Sequence, residues 1–128
     1  MIYLDSSVVL AELLSEDRRS PVKLWTQDLT SSHLLEYEVW NRLHARGLGR
    51  SHVREVAGLF AKIWFIELSP LVLRRALHPF PIPVRTLDAM HLATIEYLRA
   101  EGAAVELFTF DRRMNVAAQA LGIAIYTP

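Results

Sequence analysis

Four acidic residues stand where a chain can do chemistry. Asp5 closes the apolar run Met1–Ile2–Tyr3–Leu4 and is followed by two hydroxyls, Ser6 and Ser7. Glu38 lies among Leu34, Leu35 and Val39, on the apolar side of a helical pattern. Asp88 falls in the first turn of a later helix, and Asp111 follows Thr109 at the end of another apolar run. Carboxylates brought together repel one another unless something positive joins them. A Mg²⁺ or Mn²⁺ ion is the natural counter-charge, because hard cations take oxygen ligands and keep several waters. Such a centre can activate a water and stabilise the leaving oxygen of a phosphodiester. Thr109 and Ser6 are placed to hold a water or to orient a carboxylate from behind.

Taken alone, each acid has a plainer reading. Asp5, Asp88 and Asp111 each stand beside the start of a helix and could simply cap it. Glu38 could pair with Arg42 at i,i+4, although an acid on an apolar helix face needs a buried partner. The order discriminates better than any single residue: strand-end Asp, inward Glu, helix-start Asp, strand-end Thr-x-Asp.

Those acids need elements to carry them. After the opening strand, Val8 to Leu14 reads as a short helix capped by Ser6 or Ser7. Glu16 to Pro21 is a polar break, and Pro21 can open a short helix through Trp25. A brief strand is predicted near Asp28 to Ser31. Ser32 then caps a long helix in which Leu34, Leu35, Glu38, Val39, Trp40 and Leu43 recur at helical spacing, stopped by Arg46 to Gly49. Ser51 caps a second helix with Val53, Val56, Ala57 and Phe60 inward. Ile63 to Leu68 reads as a strand and Leu71 to Leu77 as a helix. Three prolines between His78 and Val84 make that segment an extended connector. A helix follows, with Thr86 as its cap, through Arg99 and ending near Gly102. The strand Val105 to Phe110, the helix Met114 to Leu121 and the strand Ile123 to Tyr126 complete the chain.

Short strands alternating with helices predict an α/β fold, a three-layer α/β/α sandwich with a central parallel sheet and right-handed crossovers. In a parallel sheet, strand ends and the starts of the following helices share one edge. Asp5, Asp88 and Asp111 can therefore converge there. Glu38 joins them only if its helix leans over that edge.

At 128 residues the chain suits one domain, 1–128, with a real core. A composition 52% hydrophobic and 22% charged excludes a disordered chain. Basic and acidic residues number 14 each, so no whole-domain field steers nucleic acid; a local patch would be needed. Only Lys23 and Lys62 are lysines, and the other basic residues are arginines suited to bidentate phosphate contacts. The absence of cysteine excludes disulfides, Cys-based zinc sites and thiol catalysis. No apolar run approaches the roughly 20 residues of a membrane span, and the start of the chain is unlike a signal peptide. A cytoplasmic protein with no membrane partner is the expectation.

Taken together, the motifs resemble those of the PIN-domain family. Ile2–Tyr–Leu–Asp5–Ser–Ser is similar to its opening motif, and Leu34–Leu–Glu–Tyr–Glu38–Val–Trp–Asn–Arg42–Leu to its second, whose acid falls on Glu38 rather than Glu36. Arg85–Thr–Leu–Asp88–Ala–Met–His–Leu–Ala–Thr94 resembles the third, and Phe108–Thr109–Phe–Asp111–Arg–Arg the fourth. Within the family, length and layout look most like the VapC toxins of type II toxin–antitoxin systems. The resemblance implies a Mg²⁺- or Mn²⁺-dependent endoribonuclease with RNA as substrate, usually a homodimer held inactive by a VapB-like antitoxin. It implies Asp5 and Asp88 as principal metal ligands, Glu38 and Asp111 completing the pocket, and Ser6 and Thr109 behind them. A PIN nuclease for RNA processing or structured nucleic acid outside a toxin system is the nearest alternative, and a non-catalytic PIN-fold interaction module another. A phosphatase with an aspartyl nucleophile is disfavoured, since Asp5–Ser6–Ser7 lacks a second Asp two residues on.

Four arginines are candidates for substrate contact or charge balance. Arg42 and Arg85 could offset the carboxylates or meet phosphate, against a plainer role as ion pairs. Arg112 and Arg113 could touch an RNA backbone, against a solvated surface pair. His91, one turn from Asp88, could hydrogen-bond it or face a neighbouring helix. Trp40, Trp64, Phe60 and Phe65 read as core or dimer contacts. Leu10, Leu13 and Leu14 fit either the core or an apolar face offered to a partner helix.

Overall fold

The three apolar residues after Met1 form the middle of the sheet in the computed structural model, which describes residues 1–14 and 21–128. β1 (Ile2–Leu4) lies between β2 (Leu29–Ser32) and β4 (Glu106–Phe108). β3 (Ile63–Ile66) and β5 (Ala124–Ile125) take the edges, giving the order β3-β2-β1-β4-β5. Every neighbouring pair is parallel. Parallel strands require crossover segments, and these cover both faces of the sheet. The helices are α1 (Ser6–Leu13), α2 (Leu34–Ala45), α3 (Val53–Phe60), α4 (Pro70–Ala76), α5 (Thr86–Ala100) and α6 (Arg112–Ala120), with a 3₁₀ turn at Val22–Thr26.

Alternation along β1 divides the core in two. Ile2 and Leu4 join Val8, Val9, Leu35 and Val39 in one cluster. Tyr3 points the other way, to Leu92, Ile95, Leu107 and Met114. This is the expected α/β/α sandwich. Its strand order also fixes where a site can lie. The chain builds outward from β1 through β2 to β3, then returns to the other side of β1 for β4 and β5. The carboxyl ends of β1 and β4 thus flank the point where the order reverses, the usual crevice of open α/β sheets. Leu4 pairs with Phe108 there, and the Asp5 amide donates to the Phe108 carbonyl at 3.1 Å.

Several local expectations are corrected. Neither Ser6 nor Ser7 caps the first helix: Asp5 does, in extended conformation, accepting from the Ser7 amide. A carboxylate at the strand exit reaches that amide without distorting the helix start. Ser32 belongs to β2; its hydroxyl still accepts from the Leu34 amide, but His33 is the boundary residue. Ser51 bonds back to the Leu48 carbonyl instead of capping α3. Thr86 is already helical, with Arg85 before it. In α3 only Val56 is fully buried, while Val53 is 51% exposed and Ala57 faces solvent, because the helix meets the core along one narrow line shared with Leu59 and Phe60. The strands at Ile63, Val105 and Ile123 are shorter than their apolar runs, being limited by short partners. Helix α6 starts at Arg112 rather than Met114 because Asp111 caps it. The polar stretch Glu16 to Ser20 lies outside the described residues.

Other expectations hold. Gly47, at φ +69°, ends α2, and Gly102, at φ +96°, ends α5, in the left-handed conformation that glycine adopts without penalty. The proline-rich connector after α4 has no regular structure. It is tethered by Arg75, which donates to the His78 carbonyl at 3.1 Å and lies over the Phe80 ring. Leu10 and Leu13 are buried in the core with Leu14 against it, so that apolar face is occupied. Trp40, Phe60 and Phe65 pack against the same cluster, whereas Trp64 on the edge strand is 73% exposed. Among the described residues, no helix is long and apolar enough to cross a membrane.

Candidate metal centre

Asp5 leaves β1 and turns at once into α1, so its carboxylate sits at the crevice mouth, only 6% exposed. Its Oδ2 accepts from the Ser7 hydroxyl at 2.7 Å, the Thr109 hydroxyl at 2.7 Å and the Ser7 amide at 3.4 Å. Each hydroxyl has one proton. With both protons directed at Asp5, the 3.3 Å contact between the Ser7 and Thr109 oxygens carries none. Those oxygens instead accept backbone amides, Phe110 onto Ser7 at 3.0 Å and Asp111 onto Thr109 at 2.9 Å. The exits of β1 and β4 are thereby laced through one carboxylate oxygen. Thr109 reaches Asp5 from the end of β4. The Asp5 partner on α1, however, is Ser7; Ser6 reaches the Glu38 Oε2 instead, at 3.4 Å.

Glu38 lies little more than one turn into α2, which rises from the carboxyl end of β2, and this puts it over the site edge. Its Oε1 meets the Nε2 of His91 at 2.5 Å. The Nδ1 of His91 is 2.7 Å from the Tyr3 hydroxyl, which accepts the Ser32 amide at 3.2 Å. Tyr3 and His91 are fully buried. Burial opposes charging of the imidazole, but Tyr3 and the carboxylates of Glu38 and Asp5 outweigh it and push His91 up to about 10. As an imidazolium it donates from both nitrogens, one to Glu38 and one to Tyr3. Asp5, Glu38 and His91 each bring one ligand-type atom to within 4.8 Å of the others. His91 therefore partners Glu38 rather than Asp88. The Glu38–Arg42 ion pair does not form: Glu38 turns inward, and Arg42 is exposed without an ion-pair partner among the described residues.

Asp88 opens α5 half-buried. Burial, then the charges of Asp5, Asp111 and Glu38, raise its carboxyl from 3.8 to about 6 against the lowering effect of His91. Asp111 caps α6, its Oδ1 accepting the Arg113 amide at 2.9 Å and the Met114 amide at 3.5 Å. Capping and convergence are thus not alternatives for Asp5, which does both; Asp111 caps α6 and its charge reaches Asp88, but it stands outside the close Asp5–Glu38–His91 group. Asp88, Arg85 and Arg113 line a cleft of about 250 Å³. A wider one of about 590 Å³ adjoins it, lined by Asp111, Arg85, Arg112 and Arg113. The three arginines are exposed on this rim, and none forms an ion pair among the described residues.

The donor set fits a hard divalent cation. Asp5, Glu38 and Asp111 each have one oxygen fixed by strong hydrogen bonds and a second bound weakly or not at all. Asp88 has no hydrogen bond among the described residues, and its carboxyl is raised first by burial and then by the neighbouring acids. Carboxylate oxygens such as those of Asp5 and Glu38, brought together beside His91, are the donors that hard divalent cations select.

Known proteins are similar to this chain in sequence. Ribonuclease VapC35 of Mycobacterium tuberculosis (strain CDC 1551 / Oshkosh) is 29% identical over 134 residues, spanning 100% of this chain and 97% of that protein. Ribonuclease VapC46 of Mycobacterium tuberculosis (strain ATCC 25618 / H37Rv) is 32% identical over 130 residues, spanning 99% and 97%. The sequence model of the PIN domain matches residues 2–120, a stretch running from β1 to the end of α6 and so taking in all four acids. By that match and by the parallel sheet that carries it, the chain belongs to the PIN domain family.

Proposed function

We propose that this chain is a divalent-cation-dependent endoribonuclease, the toxin of a type II toxin–antitoxin system, restrained by a VapB-like antitoxin. One observation carries the reading: the carboxylates of Asp5 and Glu38 come together beside His91 at the reversal point of the sheet, in a chain whose relatives, matched over nearly their whole length, are named ribonucleases. Asp5, Glu38, Asp88 and Asp111 would hold Mg²⁺ or Mn²⁺. When bound, the cation lowers the pKa of a water and balances charge on the scissile phosphate. The chain's own groups do the rest. Ser7 and Thr109 fix Asp5, the α6 amides fix Asp111, and Ser6 contacts Glu38. Arg85, Arg112 and Arg113 bind the RNA backbone along the rim, while Arg42 offsets local negative charge. The working unit is one PIN-like domain over 1–128, homodimeric and cytoplasmic.

Purified protein freed of any partner should cut RNA with Mn²⁺ or Mg²⁺ and stop when EDTA is added. Cleavage that persists in EDTA would sink the reading. The arginine rim has its own signature. Arg112→Ala with Arg113→Ala should weaken RNA binding uniformly across sequences. The slope of log affinity against log salt should fall by about 1 per arginine. An unchanged slope, measured by fluorescence anisotropy in EDTA, would remove both residues from the substrate path.

A further inference from the structure

Tyr3 and His91 place three polar side-chain atoms in the core, and holding a cation does not by itself require them. Phe and Leu would fill the same space without the cost of burying groups that must then be paired. Together the pair forms one unbroken connection from the sheet to the acid pocket. The Ser32 amide holds the Tyr3 hydroxyl at 3.2 Å, the hydroxyl holds Nδ1 of His91 at 2.7 Å, and Nε2 holds Glu38 Oε1 at 2.5 Å. The Tyr3 and His91 rings meet edge to face, centroids 5.6 Å apart.

We infer that Tyr3 and His91 are positioning residues: they lock Glu38 so that Oε2, not Oε1, faces the cation beside Asp5. This rests on the metal-centre reading above. A glutamate on a helix has three torsions to fix, and ordering such a side chain costs conformational entropy when nothing holds it. A charge-assisted bond to a ring that cannot turn removes that freedom before the cation arrives. The ring cannot turn because Tyr3 holds its other nitrogen, and Tyr3 is fixed by two neighbouring strands. Ser6, at 3.4 Å from Oε2, is too distant to do this alone. His91 is not itself a ligand, since the nitrogen nearest the pocket directs its proton at Glu38.

The test is Mg²⁺ affinity, by calorimetry on the full chain freed of partner, for wild type, His91→Leu, His91→Gln and Tyr3→Phe. His91→Leu should bind Mg²⁺ about 10–100-fold more weakly. His91→Gln, which keeps a donor toward Oε1, should recover most of that loss, and Tyr3→Phe should weaken binding several-fold. In a Glu38→Gln background, His91→Leu should cost nothing further. Several results would overturn the inference: unchanged affinity in folded His91→Leu or Tyr3→Phe, or an equal loss in the Glu38→Gln background, which would make His91 merely structural. A His91→Gln variant as poor as His91→Leu with Tyr3→Phe silent would make the imidazole a ligand. Where His91→Leu does not fold, the other two variants carry the comparison. A wild type that binds neither Mg²⁺ nor Mn²⁺ fails earlier, and overturns the metal-centre reading itself.

Discussion

Asp5→Asn should reduce RNA cleavage by about a thousandfold or more, the loss expected when several kcal/mol of charge stabilisation disappear. The fold should survive. Asn is as good a helix cap as Asp, and its oxygen can still accept from Ser7 and Thr109, the donors that hold Oδ2. The amide nitrogen would replace Oδ1, which has no hydrogen bond to lose among the described residues. The melting temperature should therefore move by about 5 °C or less. The substitution isolates charge from architecture because one residue serves both. Cleavage at saturating Mn²⁺, read beside a thermal melt, checks it. A folded variant with full activity would remove Asp5 from the mechanism.

Asp88→Asn should abolish cleavage to a similar degree, yet make the metal-free protein more stable at neutral pH. The sign follows from the carboxyl, raised from 3.8 to about 6 in the fold. Below pH 3.8 the folded and unfolded chains both hold the proton, and the group contributes nothing. As pH rises from there to about 6, the unfolded chain releases its proton first, so this group's effect is a falling stability. Above that window the penalty is complete. Solvent reaches Asp88, so the gain on removing it is of order 1 kcal/mol rather than the full shift. The difference between wild-type and variant denaturation midpoints, measured in EDTA from pH 4 to 8, isolates the group from every other titration. It should grow through the window and then level off. Added Mg²⁺ should favour the wild type and reverse the order. Superimposable pH profiles would mean that Asp88 feels neither burial nor the other acids.

Local pattern explains why the acids are legible in the sequence. Asp5 and Asp111 end apolar runs, Asp88 opens a helix after three prolines, and Glu38 interrupts an apolar face. Parallel topology then brings three of them to one edge. Periodicity does not say which side chains meet across the sheet. Tyr3 reads as an ordinary strand residue and His91 as an ordinary helix residue, and only the placement of α2 and α5 joins them to Glu38. Nor can it choose between Ser6 and Ser7. These adjacent hydroxyls point in different directions round the helix, one to Glu38 and one to Asp5. Ser51 and Thr86 mislead for a related reason. A hydroxyl near a helix start signals a boundary within a residue or two, but the backbone decides which residue adopts the cap conformation.

The lacing of Asp5 to Thr109 joins residues 104 positions apart, and Glu38 meets His91 across 53. The first forms only when β4 slides in beside β1, an assembly of distant segments that is slow compared with local helix formation. Synthesis proceeds from the N-terminus at about 5–20 residues per second. A growing chain therefore carries Asp5 and Glu38 for several seconds before Thr109 and Asp111 exist. Until β4 is made, Asp5 lacks the hydroxyl that ties it across the crevice, and the pocket lacks a wall. The strand order thus works as a timer, keeping an unfinished chain from carrying a finished site.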